Sequence, residues 1–218
     1  MNNIQVAIDS PAAAGAGTQA KLIAKHYNLF YLDTGKIYRF IGNLKIRNKK
    51  KFNYLFVKKK ISKLKINDLN KRILLSDKVA TEASIIAKDP KIRKIVYNFQ
   101  IRCAYKPPKK FNGSILDGRD ITSVIMKNAL FKFFITADVK IRALRRFKEL
   151  KLLKKKTTYN EVLKSIKKRD KSDLNRKFSP LKKTKDSILI NTTNLTKRSC
   201  FLKIKKIMDK KLKLNGNL

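Results

Sequence analysis

The stretch from Ile4 to Thr18 constrains this chain more than any other part of it. It begins with an apolar run of strand length, continues through a turn of small residues, and leads into a segment with helical spacing, Gln19 to Lys25. A strand, a small-residue loop and a helix together form a cradle for phosphate groups, because backbone N–H groups and the positive end of the helix dipole meet at one spot. The stretch therefore favours phosphate binding slightly over an ordinary buried strand followed by a tight turn.

This loop departs from the common phosphate-binding signature G-x-x-x-x-G-K-[ST]. Ser10 stands at the first glycine position and Gly15 at the second, whereas Ala16 takes the lysine position and Gly17 the hydroxyl position. The hydroxyl of Thr18 follows one residue later. The pattern by itself is therefore only a weak indication of nucleotide binding.

The net charge is the most unusual property of the composition. The chain has 55 lysines and arginines against 15 aspartates and glutamates, a formal charge of +40. Such a charge attracts polyanions through counterion release, so weak, salt-sensitive binding to RNA or DNA is expected. The basic residues are scattered, are not interleaved with aromatic residues, and form no known nucleic-acid-binding motif. We therefore expect no specific nucleic-acid partner, and a lysine-rich coat on an ordinary enzyme explains the charge better.

The length favours one domain, or one domain with small appendages. With 218 residues, 43% of them hydrophobic, the chain is long enough to bury a core. We expect a cytoplasmic protein without a membrane partner, because no apolar run reaches membrane-spanning length and the first residues do not resemble a signal peptide. His26 is the only histidine, and Cys103 and Cys200 have no metal-ligand spacing.

Strand-like and helix-like segments alternate along the chain. Strands are predicted at 4–8, 29–32, 113–116, 131–136 and 187–190. This alternation predicts a parallel sheet with helices on both faces. Ligands of such sheets bind beyond the carboxyl ends of the strands. Polar clusters lie at four of these ends, namely 9–18, 33–35, 117–120 and 136–138.

Capping residues mark several helix starts. Asp89 followed by Pro90 is a strong helix start, and Thr158 is a predicted cap of a helix that runs to about Asp170. Residues 45–65 are basic and only loosely periodic, so we predict a mobile segment with helical tendency there.

Arginines are the notable side chains near the strand ends. Arg39 lies one helical turn beyond Gly35, so its guanidinium can reach the crevice at this edge of the sheet. Arginines gathered around a crevice clamp phosphate oxygens and neutralise charge as a phosphoryl group moves. One arginine alone is more simply a surface ion pair, but the whole set favours phosphate chemistry.

These residues resemble the bacterial cytidylate kinases, a family of nucleoside monophosphate kinases. The resemblance covers almost the whole chain, and its most specific part is Leu-Asp-Gly-Arg-Asp-Ile at 116–121. It implies a phosphate-loop kinase fold of the α/β class, with a five-stranded parallel sheet and helices on both faces. It also implies a single domain of residues 1–218, made of a core (1–39, 86–150 and 186–218), a nucleotide-monophosphate-binding insert (40–85) and a lid (151–185).

The resemblance further implies a reaction: a monomer that transfers a phosphoryl group from ATP, with Mg²⁺, to CMP or dCMP. The residues implied to wrap the ATP phosphates are Ser10, Pro11, Ala12, Ala13, Ala14, Gly15, Ala16, Gly17 and Thr18, with the Thr18 hydroxyl facing Mg²⁺. The implied CMP-binding residues are Thr34, Arg39, Ser84, Arg93, Asp117, Arg119, Asp120, Arg169, Asp173 and Arg176. The implied catalytic residues are Arg39, Arg119, Arg145 and Arg169.

Individual roles follow from the same resemblance. Arg39 and Arg119 would hold the acceptor phosphate, Arg145, assigned to the lid, would reach the ATP phosphates, and Arg169 and Asp173 would contact the sugar. The cytosine edge would be read by Ser84, Arg93, Asp120 and Arg176. Cytosine offers a donor amine and acceptor atoms, so a carboxylate and cationic donors suit it. No general base is needed, because the acceptor phosphate is already an anion.

The clearest departure from the family is Ala16, where the family has a lysine. By analogy with losing one oxyanion donor, its absence costs about 2.7–4 kcal/mol of transition-state stabilisation. Lys21 and Lys36 are candidate replacements, and we favour Lys36, at the start of the helix that carries Arg39. The insert after Arg39 is also short and lysine-rich, so we expect altered closure dynamics but the same substrate class.

Two other functions stay open as alternatives. The first is a weakly active or non-catalytic nucleotide-binding pseudokinase, because the loop lysine is absent. The second is a basic RNA-associated protein built on a kinase fold. The many arginines and aspartates at the predicted site argue against decay, since a dead site has no physical reason to keep so many paired charges.

Overall fold

A five-stranded, all-parallel sheet lies at the centre of the computed structural model, which describes residues 4–214. Its order is β2-β3-β1-β4-β5. The strands are β1 (Ile4–Asp9), β2 (Phe30–Asp33), β3 (Gly113–Gly118), β4 (Phe131–Thr136) and β5 (Ile188–Asn191). The described α-helices are α1 (Ala16–Tyr27), α2 (Gly35–Arg47), α3 (Tyr54–Ser62), α4 (Asp77–Ile86), α5 (Pro90–Tyr105), α6 (Val139–Leu152), α7 (Tyr159–Leu174) and α8 (Lys197–Leu214). The predicted α/β fold with a five-stranded parallel sheet is confirmed.

Both faces of the sheet are covered, as the apolar strands require. Successive strand residues point to opposite faces. Ala7 and Leu116 pack in the cluster that contains residues of α2 and α5. Val6 and Ile115 pack in the cluster that contains residues of α1 and α8. No helix within residues 4–214 is long and apolar enough to span a membrane.

The lysine-rich segment at 45–65 contains more regular structure than its sequence indicates. Helix α2 continues to Arg47, and α3 begins after Asn53, whose side chain accepts a hydrogen bond from the Phe56 N–H at 2.9 Å. Val57 and Ile61, one turn apart, are buried in the same cluster as residues of α5. The predicted helical tendency is confirmed, and these two side chains anchor the segment to the core.

Helix α7 begins as predicted but runs further. Thr158 forms a capping box with Glu161, as the sequence suggests for a helix start. The helix passes Asp170 and ends at Leu174. Its last turn is held by the buried Asp170 and by the pairing of Asp173 with Arg119. As a result, Arg169, Asp170 and Asp173 lie on one helix.

Candidate active site

The loop between β1 and α1 forms a cradle at the carboxyl end of the sheet. Gly15 precedes α1 with a φ of 89°, and the Ser10 N–H donates to the Gly118 carbonyl at 3.2 Å. Ala13 has a φ of 59°, in the left-handed region. Because this region costs a residue with a Cβ roughly 1–2 kcal/mol, surrounding contacts must hold the loop in this shape.

A pocket of about 260 Å³ opens beside this loop. Arg145, on α6, donates to the Thr192 carbonyl at 2.6 Å and to Thr192 Oγ1 at 3.0 Å, and Thr192 Oγ1 donates to the Ala14 carbonyl at 3.3 Å. The structure thus places Arg145 beside the predicted ATP loop, outside residues 151–185 that were assigned to the lid. The lining is formed by Ala14, Gly15, Thr18, Gln19, Arg145, Thr192, Leu195, Thr196, Lys197 and Cys200.

Arg169 on α7 lies near arginines from three other parts of the chain. Burial and the like charges of Arg119, Arg39 and Arg146 lower the pKa of Arg169 to about 10, although Asp173 partly opposes the shift. Gathered cations repel one another unless an anion joins them, so this cluster suits phosphate oxygens. Three of the four were predicted as site residues. Arg146 was not, and its sequence signal was only its position next to Arg145.

Three of these arginines have described partners. Arg119 Nε donates to Asp173 Oδ2 at 2.7 Å, and Arg39 Nη1 donates to the Leu74 carbonyl at 2.8 Å. Arg146 Nη1 lies 2.9 Å from Glu149 Oε2. The contact to Leu74 links the cluster to the insert, so a movement of that segment would move Arg39.

A second pocket, of about 150 Å³, lies between α5 and the segment after β3. Arg93 donates to the Asp120 carboxylate, and its guanidinium lies over the Tyr38 ring, 5.5 Å from the centroid. Arg176 Nη2 approaches Asp120 Oδ1 at 3.7 Å. Three predicted cytosine readers therefore meet at the edge of this pocket. Arg93 and Asp120 line it, whereas Arg176 and the half-buried Ser84 on α4 do not. The lining is formed by Tyr38, Arg93, Lys94, Tyr97, Gln100, Asp120, Val124, Ile125 and Ser179.

Several buried polar groups around this second pocket have no hydrogen-bond partner in the described part of the chain. They are the Tyr38 hydroxyl, Gln100 Nε2 and Arg176 Nη2. Buried donors are normally bonded, so these groups are available to the acceptor atoms of a polar ligand or of water. The sequence analysis did not select Tyr38 or Gln100 as binding residues, because only tertiary packing shows that they border a cavity.

Asp117, at the end of β3, faces the phosphate loop and does not line the second pocket. A Cβ on Gly17 would lie 3.5 Å from Asp117 Oδ2 and 3.4 Å from the Tyr31 hydroxyl. Burial and the nearby Asp33 raise the pKa of Asp117 to about 8, although Tyr31, Arg119 and Lys21 partly oppose the shift. Thr34 is close by, since its Oγ1 donates to the Asp117 carbonyl at 2.9 Å. Asp117 and Thr34 thus lie together beside the first turn of α1.

The two lysines considered as replacements for the loop lysine lie in different places. Lys36 Nζ donates to Asn70 Oδ1 in the insert at 3.0 Å. Lys21 is exposed on α1, four residues after Gly17, and its charge acts on Asp117. The methyl group of Ala16 is buried, with 4% of its surface exposed.

Asp9, at the end of β1, organises the segment that carries Arg119 and Asp120. Its Oδ1 accepts from the Ile121 N–H at 2.8 Å, and its Oδ2 accepts from the Thr122 N–H at 2.8 Å and from the Thr122 hydroxyl at 2.6 Å. Burial raises the pKa of Asp9 to about 6, and these hydrogen bonds oppose the shift. The sequence placed Asp9 at a strand end but did not indicate this role.

This burial predicts a pH-dependent stability. A carboxyl whose pKa rises from 3.8 to about 6 on folding favours the folded state below pH 4 and loses that contribution as the pH rises through 6. Asp9→Asn resembles the protonated form, so the free energy of unfolding of the natural protein, minus that of the variant, should fall by about 2 kcal/mol between pH 4 and 7. Urea unfolding across this range measures the difference.

The Asn variant also loses an acceptor for Thr122, which lowers stability at every pH. Only the pH-dependent part therefore tests the prediction. A constant difference between the two proteins from pH 4 to 7 would contradict it.

The sheet order, the phosphate loop and the arginine cluster define a nucleotide-binding α/β protein of the nucleoside monophosphate kinase class. Comparison with known proteins narrows this class. The family model for "Cytidylate kinase" matches residues 6–210. The chain belongs to the cytidylate kinase family, which confirms the family predicted from its motifs.

Curated relatives agree with this assignment. A cytidylate kinase of Clostridium tetani is 40% identical over 221 residues, covering 94% of each chain. A cytidylate kinase of Bartonella henselae is 37% identical over 206 residues, covering 92% of each. A crystal structure of an uncharacterized protein from Eubacterium ventriosum matches with a TM-score of 0.56 at 18% identity, covering 95% of this chain and 99% of that one, and supports the fold alone.

Proposed function

We propose that this protein transfers the terminal phosphoryl group of ATP to the phosphate of CMP or dCMP, producing ADP and CDP or dCDP. The observation that carries this proposal is that Arg39, Arg119 and Arg146 all act on the charge of Arg169, with Arg119 held just beyond β3 by Asp173 at 2.7 Å. A phosphoryl group that passes between two nucleotides is surrounded by negative oxygens, so catalysis is mostly positioning and charge neutralisation.

The two pockets suit the two nucleotides. The loop at 10–18 and the 260 Å³ pocket beside it would hold ATP, with Arg145 at its edge. The 150 Å³ pocket would hold the cytosine ring, because Asp120 can accept from the exocyclic amine while Arg93 and Arg176 donate to ring acceptors. Asp173, which pairs with Arg119, and the neighbouring Arg169 would contact the sugar and acceptor phosphate.

Residues near the start of α1 also suit Mg²⁺. Asp117 Oδ1 is buried without a hydrogen-bond partner among residues 4–214, and Asp117 Oδ2 lies close to Gly17, next to Thr18. Carboxylate and hydroxyl oxygens are the ligands that Mg²⁺ prefers. Thr18 and Asp117 would hold the ion, which would supply positive charge against the ATP phosphates.

Lys36 is our proposed substitute for the loop lysine. It lies in the first turn of α2, two residues after Thr34, which contacts Asp117, and Asp117 in turn faces Gly17. These neighbouring contacts support a position of Lys36 close to the loop. Its present partner, Asn70, is a neutral and exposed group that a phosphate oxygen can replace, since an ammonium binds an anion more strongly than an amide.

Release of ADP from ATP, measured with CMP, dCMP, UMP and AMP as acceptors at matched concentrations, tests the proposal. We expect kcat/KM for CMP to exceed that for UMP by about 5- to 150-fold, the discrimination that one well-formed base contact provides. CMP binding without ADP release would instead favour the pseudokinase. RNA binding that survives moderate salt, together with no turnover, would favour the RNA-associated protein.

A further inference from the structure

A buried ion pair outside both pockets joins the phosphate loop to α7. Arg142 Nη1, on α6, donates to Asp170 Oδ2 at 2.6 Å. Only 6% of Arg142 and 9% of Asp170 is exposed. Both side chains also hold Ala12, since its N–H donates to Asp170 Oδ1 at 3.0 Å and its carbonyl accepts from Arg142 Nη1 at 2.8 Å. Arg142 Nε further donates to the Ala137 carbonyl, just after β4, at 2.9 Å.

These contacts lie next to Ala13, the loop residue whose backbone conformation is strained. The Ala12 carbonyl belongs to the peptide plane that precedes Ala13, so fixing this carbonyl restricts the φ angle of Ala13. That angle is 59°, an unfavourable value for a residue with a Cβ. On the other side of Ala13, the Thr192 hydroxyl donates to the Ala14 carbonyl and holds the next residue of the loop. The loop shape is therefore imposed from outside rather than by its own residues.

We propose that the Arg142–Asp170 pair is a positioning device that holds the phosphate loop in its nucleotide-binding shape. The proposal rests on the phosphate loop being the ATP site of the proposed function. Because Ala16 leaves the loop without its lysine, the nucleotide phosphates depend on backbone N–H groups, and these bind only when the loop is already in shape. Asp170 also stands next to Arg169, so one helix positions both the donor loop and the arginine cluster.

If the Arg142–Asp170 pair only stabilised the fold, the effect of removing it on nucleotide binding would be different, and this difference can be measured. Removing one member of a buried ion pair leaves the other charge uncompensated and destabilises the fold, whereas replacing both with apolar residues of similar size is often neutral. The double variant Arg142→Met with Asp170→Leu should therefore unfold near the temperature of the natural protein. It should nevertheless bind ADP about 10- to 100-fold more weakly, because the loop is no longer held in place.

The measurements are thermal unfolding, calorimetric ADP binding, and KM for ATP and for CMP. We expect KM for ATP to rise with the dissociation constant for ADP, and KM for CMP to change less than threefold. Lys148→Gln, which removes an exposed charge on the same helix, is the matched control and should change none of these values. A double variant with normal stability and unchanged ADP affinity would overturn the proposal.

If the double variant does not fold, Arg142→Lys provides a second test. A lysine keeps the charge but cannot hold Ala12, Ala137 and Asp170 together, so a folded Lys variant should lose ADP affinity about fivefold or more, the equivalent of roughly 1 kcal/mol. Unchanged affinity in this folded variant would also overturn the proposal. A natural protein that binds ADP but does not phosphorylate CMP would contradict the proposed function alone.

Discussion

Lys36→Ala is expected to lower kcat for CMP phosphorylation by about 10²- to 10³-fold, since a donor aimed at the charge of a transition state contributes about 2.7–4 kcal/mol. The reason is that Ala16 leaves no ammonium group in the loop, and Lys36 begins the helix that carries Arg39. KM for CMP should change little, because the interaction strengthens mainly as the phosphoryl group moves. Steady-state kinetics with purified variants measure both constants.

Three further variants make this prediction specific. Asn70→Ala removes the present hydrogen-bond partner of Lys36. If Lys36 acts on phosphate, this variant should have a nearly unchanged kcat. If Lys36 only holds the insert in place, the kcat of this variant should fall as far as that of Lys36→Ala. Lys25→Ala, at an exposed position on α1, controls for the loss of one positive charge. Ala16→Lys, added to Lys36→Ala, should restore most of the lost turnover.

An unchanged kcat in Lys36→Ala would contradict the idea that this residue replaces the loop lysine. Lys21→Ala then becomes the informative variant, because the Lys21 charge acts on Asp117. A loss of turnover in Lys21→Ala alone would indicate that Lys21, on α1, replaces the loop lysine. Equal turnover in both variants would mean that the arginine cluster supplies enough positive charge without any lysine.

Arg119→Met is expected to reduce kcat/KM for CMP by about 10³-fold or more, because the cluster loses a guanidinium that can bind phosphate through two N–H groups. The same change leaves the Asp173 carboxylate without its 2.7 Å partner. The pair is only partly buried, so breaking it from one side should cost less than the roughly 3–5 kcal/mol of a fully buried pair, but this variant should still be less stable. Kinetics and thermal unfolding need to be measured together.

Arg119→Lys separates the catalytic loss from the structural loss. It keeps a positive charge near Asp173, so most of the stability should return, but a point charge cannot replace a planar fork, and activity should stay low. Arg198→Ala, exposed at the start of α8, is the control and should behave like the natural protein. Near-natural activity in either Arg119 variant would contradict a role in binding the acceptor phosphate.

The fold was largely predictable because its signals are local. Apolar runs followed by capping residues located the strands and most helix starts, including Asp89 before Pro90 and Thr158 before α7. The helix within segment 45–65 was harder to predict, since Val57 and Ile61 are the only buried residues of α3 and lysines separate them. The end of α7 was missed for a related reason: Asp170 and Asp173 look like loop residues until their partners are known.

The candidate site was only partly predictable. The arginines and aspartates of the family motifs were identified from their positions in the chain, and the structure brings Arg93, Asp120 and Arg176 together. Tyr38 and Gln100 gave no signal, because a buried tyrosine or glutamine is ordinary until a cavity lies beside it. Arg146 was overlooked beside Arg145, since only a three-dimensional arrangement shows which of two adjacent guanidiniums faces Arg169.

The amino-acid sequence by itself determined the class of fold, the family and the types of side chain that the site would contain, because periodicity, capping and motif spacing are properties of neighbouring residues. Tertiary structure alone decided how distant residues combine. It paired Arg142 with Asp170 across the loop residue Ala12, placed Asp9 under the segment of Arg119, and turned Asp117 toward Gly17. Hydrogen bonds and charge interactions act within a few ångströms in space, and separation along the chain does not reveal that distance.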